Sequence, residues 1–240
     1  MLVAAALCPA PPLLARELTG ADPVVPELRQ ACLDAVAELV RSDPGLIAVV
    51  GTGEQTRAFG PGGRLDLAAY APPLARSGSP DGAGKPLPLP LGLGARLLDQ
   101  AGYAGLRVLH TVHDQASAAD CGALGARLAS AAPAVGLLVM ADGSARRGLR
   151  APGYLDERSL PFDAQVTDAI RAGDMAALLA LDAGLARQLM ATGRPAWQVL
   201  AGAAGGQQPA SMVRYCDDPF GVAYLVASLT FAAQPCVMPT

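Results

Sequence analysis

The 240-residue chain is poor in charged and aromatic side chains, which make up 16% and 4% of it. Its formal net charge is −3, and no long block of basic residues occurs. Proteins that bind nucleic acids carry a basic patch for the phosphates, often with aromatic side chains that stack on bases. The composition therefore argues against a nucleic-acid partner.

Cysteine is also scarce, and its arrangement excludes two kinds of stabilising site. Five cysteines are scattered along the chain with no CxxC pair. Such a set indicates neither a structural zinc site nor a disulfide framework. We therefore expect a reducing compartment and a cytoplasmic location. The apolar start MLVAAALC lacks the basic segment of a signal peptide, and we interpret it as a buried first strand.

Long apolar runs and the common phosphate-binding motifs are missing as well. No run approaches the length that spans a bilayer, so we expect no membrane partner. Neither GxxxxGK[ST] nor a usable GxGxxG follows a predicted strand. Hydrophobic residues nevertheless make up 52% of the chain, which is enough for a sizeable globular core.

The apolar residues that are present alternate between two patterns. Continuous runs at 2–7, 45–50 and 135–142 indicate strands buried on both faces, and helical periodicity separates them, first at 25–41. This order predicts an α/β fold. We expect one domain over residues 1–240, with a mostly parallel central sheet, helices on both faces and a cleft at the carboxyl ends of the strands.

Three later segments complete the predicted fold. Residues 71–94 are rich in proline and glycine, which predicts a long loop, followed by a short helix at 95–101. We expect this loop to cover the cleft as a lid. Residues 162–204 are helical in pieces broken at Gly173, Gly184 and Gly193, and the pattern near the end of the chain indicates a late strand or strand pair.

Residues able to do chemistry gather where the predicted strands end. His110 and His113 end the third strand, and Asp142 and Ser144 follow the fourth. Because ligands of open α/β sheets bind beyond such ends, we predict catalytic roles for His113, Asp142 and Ser144. The alternative is structural, with a hydrogen-bonded histidine and a turn capped by Asp142. The two histidines would point to opposite faces of a strand and could share a metal only if the strand ended between them.

Three more residues are candidates for binding. Glu54 follows the second strand, Arg146 lies in an arginine run, and Asp218 precedes a proline. We predict that Glu54 and Arg146 contact a ligand, and that Glu54, His113 and Asp218 are the candidate metal ligands. Solvated or turn-forming roles are the alternative for all of them.

Three stretches resemble a known family. CPAPPLL near the start, DGSARRGLRAPGYLDERSLPFDAQV in the middle and PFGVAYLVAS near the end are similar to the actinobacterial branch of the LigB-like class III extradiol ring-cleavage dioxygenase family. Its superfamily includes the catechol dioxygenases and the Memo-like proteins. The resemblance runs over nearly the whole chain. It implies the fold of that superfamily, a small-molecule ligand and a homodimer.

The resemblance also implies an iron site, from which this sequence departs. Ring-cleaving members hold a non-haem Fe(II) with two histidines and a glutamate, and use a further histidine as acid and base. The resemblance places Ala10 at the first ligand position, the turn containing Glu54 at the second, and Ala145 at the acid–base position. One carboxylate does not restore the affinity lost with the imidazoles.

Three functions follow as hypotheses. The first is a non-catalytic binding or regulatory protein with a degraded iron site. The second is an enzyme with a rebuilt cleft site, with or without a metal. The third is a non-haem Fe(II) extradiol dioxygenase acting on a catechol-type substrate, with its metal ligands at other positions.

Overall fold

A computed structural model describes residues 1–20, 24–71 and 85–232. Its strands are β1 (Leu2–Cys8), β2 (Leu46–Gly53), β3 (Arg57–Phe59), β4 (Arg64–Leu65), β5 (Pro86–Leu87), β6 (Arg107–His113), β7 (Val135–Met140), β8 (Ala210–Asp217) and β9 (Tyr224–Thr230). Its helices are α1 (Arg16–Thr19), α2 (Pro26–Arg41), α3 (Leu89–Gln100), α4 (Ala118–Ala129), α5 (Ser159–Ala172), α6 (Met175–Leu179), α7 (Ala183–Gln188) and α8 (Arg194–Ala204). A 3₁₀ turn covers Pro12–Leu14.

The main sheet has the strand order β3-β6-β2-β7-β1-β9-β8. The four central strands β6, β2, β7 and β1 are parallel, while β3, β9 and β8 pair antiparallel with their neighbours. Strands β4 and β5 form a separate parallel pair. The predicted α/β fold with parallel central strands is confirmed. The late strand or strand pair is present as β8 and β9, which pair antiparallel.

Helices cover both faces of the sheet, which explains the continuous apolar runs of the central strands. On one face, Ala4, Ala6 and Cys8 of β1 pack in a core with α2 and α3. On the other face, Ala5 and Leu7 pack in a core with α4, α5 and α8. Because successive side chains of a strand point to opposite faces, a strand buried on both sides must be apolar throughout.

The third helix is longer than the sequence pattern predicted. The expected loop at 71–94 and helix at 95–101 are wrong at their boundary, because α3 already begins at Leu89. Pro90 lies in the first turn of α3, where its missing N–H costs no hydrogen bond. The predicted lid rests on residues 72–84, which lie outside the described residues.

The later helices follow the glycine pattern in part. Gly173 ends α5 in the left-handed conformation at φ +65°, as the pattern predicted. Gly184 lies inside α7, whose start is capped instead by the side chain of Asp182. Within the described ranges, no helix is both long and apolar enough to cross a membrane.

Glycine allows α4 and α8 to pack with their backbones in close approach. A Cβ atom placed on Gly125 of α4 would lie 2.1 Å from the carbonyl oxygen of Val199 in α8. One turn earlier in the same helix, a Cβ atom on Gly122 would meet no atom closer than 3.9 Å, the Cδ2 of Leu179. Within α4, the helix contact therefore requires a glycine at position 125 and leaves room for a methyl group at position 122.

We expect Gly125→Ala to lower the free energy of unfolding by about 1–3 kcal/mol, because the new methyl group forces the two helices apart. The matched variant Gly122→Ala should be neutral or stabilising by up to about 1 kcal/mol through its better helix propensity. Urea unfolding monitored by circular dichroism measures both. Equal effects of the two variants would contradict the close helix contact.

Candidate functional site

The carboxyl edge of the sheet brings together residues from β1, β7, β8 and β9. Cys8 and Met140 are paired at the ends of β1 and β7, so the turns that begin at Pro9 and Ala141 leave the sheet side by side. Strand β9 runs antiparallel to β1 and starts at this edge with Tyr224. The candidate site is built where these chain segments meet.

Asp142 lies in the turn that begins at Ala141 and bonds to the turn that begins at Pro9. Its Oδ1 accepts a hydrogen bond from the backbone N–H of Ala10 at 2.8 Å. Burial raises the pKa of the Asp142 carboxyl to about 6, against the opposing effect of the Ala10 N–H. Burial, and then the charge of Asp142, raise the pKa of the neighbouring Tyr224 phenol. This carboxyl therefore titrates close to neutral pH.

Ser144 is fully buried, and its two hydrogen-bond donors are both directed at one carboxylate. Its backbone N–H donates to Oδ1 of Asp163 at 2.9 Å, and its hydroxyl donates to Oδ2. Arg147 joins the same carboxylate through Nη1 at 3.3 Å and donates from Nε to Asp218. The Ser144 hydroxyl thus holds the turn in place. Its catalytic role stays a prediction, because the buried side chain has no atom facing solvent.

The backbone of this turn is held on both sides. The bonds that fix it join Gly143 N to Ala223 O at 2.8 Å, Ala223 N to Ser144 O at 2.9 Å, Ala145 N to Leu189 O at 3.0 Å, Arg147 N to Gly221 O at 3.0 Å and Gly193 N to Asp142 O at 2.8 Å. A turn bonded in this way is preorganised and keeps its geometry without a ligand.

A groove of about 580 Å³ opens beside the turn. It lies between α5 and the ends of β8 and β9, and Arg147, Asp163, Thr167, Asp217 and Tyr224 are among the residues that line it. Apolar walls with a few convergent polar groups are typical of small-molecule sites. The groove is large enough for a small organic ligand.

The histidines do not belong to this group of residues. His113 ends β6 with 42% of its side chain exposed, and its Nδ1 accepts a hydrogen bond from the N–H of Gln115. His110 is half-buried in the same strand, where burial, and then Arg127, lower its pKa. Strand β6 extends through both histidines, so they point to opposite faces as expected.

The three candidate metal ligands do not form one site. Strand β6, which ends at His113, lies five places from β8, which Asp218 follows. At about 4.8 Å per strand spacing, this places them on the order of 24 Å apart. Glu54 lies near His113, because Gly53 pairs with His113, but it is exposed. The sequence pattern could not reveal this separation, since it does not specify strand order.

The residues present do not fit the Fe(II) centre that the resemblance implies. Ala10 is buried and carries no donor side chain, Ala145 is buried, and Glu54 faces solvent on another strand end. Among the described residues, no group of three or more His, Cys, Asp or Glu side chains is arranged to hold a metal ion. A facial triad needs such a group.

Arg146, the other predicted ligand contact, is only partly exposed. Its backbone carbonyl accepts a hydrogen bond from the Ser159 hydroxyl at 3.1 Å. Its Nε is buried and has no hydrogen-bond partner within the described part of the chain. The side chain lies against Gly153, outside the residues that line the groove.

Sequence reasoning missed Asp163 and Tyr224. Phe162, Val166 and Ile170 form the buried stripe of α5, and Asp163 and Thr167 lie beside it yet are buried too. A carboxylate on a buried helix face requires partners, because burying an unpaired charge is costly. That helix position was the signal available for Asp163. No comparable signal distinguishes Tyr224 from an ordinary core tyrosine.

Comparisons with known proteins support the fold. No protein-family model matches the chain, and no curated protein sequence is significantly similar to it. The crystal structure of an uncharacterized protein of Escherichia coli K12, JW3007, superposes with a TM-score of 0.55 at 13% sequence identity. The match covers 95% of this chain and 99% of that one. The two chains therefore share a fold over nearly their whole lengths.

We expect Asp142→Asn to remove a pH dependence of stability. The pKa of the folded state, about 6, lies above the ordinary value of 3.8. The stabilisation is therefore complete below about pH 4 and is lost as the pH rises through about 6. Asparagine keeps an acceptor for Ala10 without the charge, so the variant should gain on the order of 2 kcal/mol over wild type at pH 7.5 and nothing at pH 3.5.

Thermal unfolding between pH 3.5 and 8 measures this difference. Asp34→Asn removes the same charge from an exposed position of α2 and is the matched control. Its stability should follow the wild-type pH curve. Parallel curves for wild type and Asp142→Asn would contradict the raised pKa.

We expect Asp163→Asn to destabilise the turn that follows β7. The asparagine NH₂ group would face donors from Ser144 and Arg147, so a buried acceptor is lost, at a cost of about 2 kcal/mol. Asp168→Asn on the same helix breaks only an exposed pair with Arg171 and should cost less than about 0.5 kcal/mol. Chemical denaturation measures both, and a neutral Asp163→Asn would show that the network does not hold the turn.

Proposed function

We propose that this chain is a non-catalytic binding or regulatory protein built on a LigB-like extradiol dioxygenase fold. One observation carries the proposal. The residue that the resemblance places at the first iron ligand is Ala10, and its backbone N–H is engaged by the carboxylate of Asp142. At this edge the Asp142 carboxylate serves a structural bond between two turns, and no imidazole among the described residues is available there to hold iron.

The turn at 141–147 and the groove beside it support a binding function. The turn at 141–147 is rigid, and the adjacent groove of about 580 Å³ combines apolar walls with Arg147, Asp163 and Asp217. Preformed polar groups beside apolar walls orient a small organic ligand without a conformational change. The resemblance suggests a homodimer, and the scattered cysteines favour a reducing, cytoplasmic compartment; both stay predictions.

A second candidate is an enzyme with a rebuilt, metal-free site. The observation that favours it is the pKa of Asp142 near 6, since a carboxyl that titrates near neutral pH is suited to general acid or base catalysis. Asp142 would move the proton, and Tyr224 is the neighbouring phenol. The third hypothesis, an Fe(II) dioxygenase acting on a catechol, has no converging set of donors among the described residues.

The metal content of the protein separates the two metal-free functions from a metal-dependent enzyme. We expect anaerobic loading with Fe(II), Zn(II) or Mn(II) to leave no more metal on the chain than on an Asp142→Ala control, because the donor set does not converge. Elemental analysis after desalting measures the ratio. One metal per chain that is lost in Asp142→Ala would overturn the proposal in favour of a rebuilt metal site.

Catechol serves as the probe for the groove and for ring cleavage. We expect it to shift the backbone amide resonances of Gly143, Thr167 and Ala223 with no oxygen uptake in the presence of Fe(II). The Asp163→Asn variant should weaken these shifts. Oxygen uptake would establish a dioxygenase, and the absence of any shift at these amides would contradict binding of this aromatic ligand class in the groove.

A further inference from the structure

A second pocket lies beyond the end of β6, between α7 and the start of α8. Its volume is about 500 Å³, and Asp114, Arg187, Met190, Arg194 and Pro195 are among its lining residues. It shares no lining residue with the groove beside the turn at 141–147. Nothing derived above gives this pocket a role.

Its distinctive feature is a buried cation without a carboxylate partner. Arg194 is 2% exposed, and its guanidinium donates to three neutral oxygens: Ala116 O at 2.6 Å, Asp114 O at 2.6 Å and Gln198 Oε1 at 2.9 Å. No carboxylate in the described ranges lies within ion-pair distance of it. A buried charge is costly without a counter-ion, and an arginine keeps its charge when buried.

The surroundings add positive charge. Arg187 is exposed at the wall of the pocket and forms no ion pair with any described residue. Helix α8, of 11 residues, begins at the pocket, and its N-terminus contributes a partial positive charge.

Asp114 is the acid that faces these cations. It also lines the pocket, but 57% of its side chain is exposed, and it lies 3.3 Å from Nδ1 of His113. Two guanidinium groups and a helix N-terminus thus face one solvated carboxylate. The local electrostatic potential favours an anion.

Most of the remaining wall is apolar, with Gln115 and Thr192 as its polar residues. Ala183, Ala186, Met190 and Pro195 provide the hydrocarbon surface of the pocket. An ion alone would leave this surface unused, whereas a molecule with a charged head and a short apolar body would fill both parts.

We propose that this pocket binds a small organic oxyanion, a carboxylate or phosphate ester with a compact apolar body. Arg187 pairs with the oxyanion, because its guanidinium is free to form two parallel hydrogen bonds with it. Arg194 stays in its hydrogen bonds and attracts the anion through its charge. The site goes beyond the proposed function and does not depend on it.

Benzoate, phenyl phosphate and neutral benzamide are the probes. All three carry the same ring, so their comparison isolates the charge and, between the first two, the kind of oxyanion. We expect benzoate or phenyl phosphate to bind with measurable heat in titration calorimetry at constant ionic strength. Benzamide should bind at least about tenfold more weakly, since one charge-assisted hydrogen bond is worth roughly that factor.

Variants that remove one positive or one negative charge from the pocket locate the site. Arg187→Ala should weaken binding about tenfold, while Asp114→Asn should strengthen it, because the competing carboxylate is lost. Arg127→Ala removes an exposed arginine of α4 that lines neither the groove nor this pocket, and it should change nothing. Arg194 is left in place because its hydrogen bonds hold the loop after β6 against α8.

Each result decides the assignment. Preference for the anionic probes, lost in Arg187→Ala and enhanced in Asp114→Asn, supports it. Equal binding of benzoate and benzamide would overturn it. An equal loss in Arg127→Ala would also overturn it, because the anion would then be attracted by the general surface charge.

Discussion

The carboxylate of Asp163 holds the turn that follows β7, and the positions of the other groups at the carboxyl edge depend on that turn. It accepts the N–H and the hydroxyl of Ser144 and the guanidinium of Arg147 from its place on α5. The same turn carries Asp142, whose carboxylate accepts a hydrogen bond from the backbone N–H of Ala10. A buried carboxylate with several donors is stable only if all of them are in place, so this network positions α5, β7 and β1 relative to one another.

This constraint explains why the described residues at this edge do not form an iron site. An iron site needs several donors aimed at one point, whereas here the acidic side chains are engaged by backbone N–H groups, hydroxyls and arginines. The fold shared with the Escherichia coli protein over nearly the whole chain does not itself define an activity, because one fold hosts many chemistries. The function must therefore be inferred from the side chains at the carboxyl edge of the sheet.

The two cavities differ in the charges of the side chains that line them. The groove beside α5 balances Arg147 and Arg171 against Asp163, Asp168 and Asp217, so its charges are largely paired. The pocket at the start of α8 concentrates positive charge. Both are formed by the same helical layer of the fold, yet no residue lines both of them.

The sequence by itself determined the apolar strands, their alternation with helices and the absence of a histidine at position 10. These properties are local, because periodicity follows from which faces of a strand or helix are buried. Only the tertiary structure decided that β6 and β8 lie five places apart in the strand order of the sheet. It also decided that Asp163 is the partner of Ser144 and that burial raises the pKa of Asp142. Strand order, partner choice and desolvation depend on contacts between residues distant in the chain, and no local pattern encodes them.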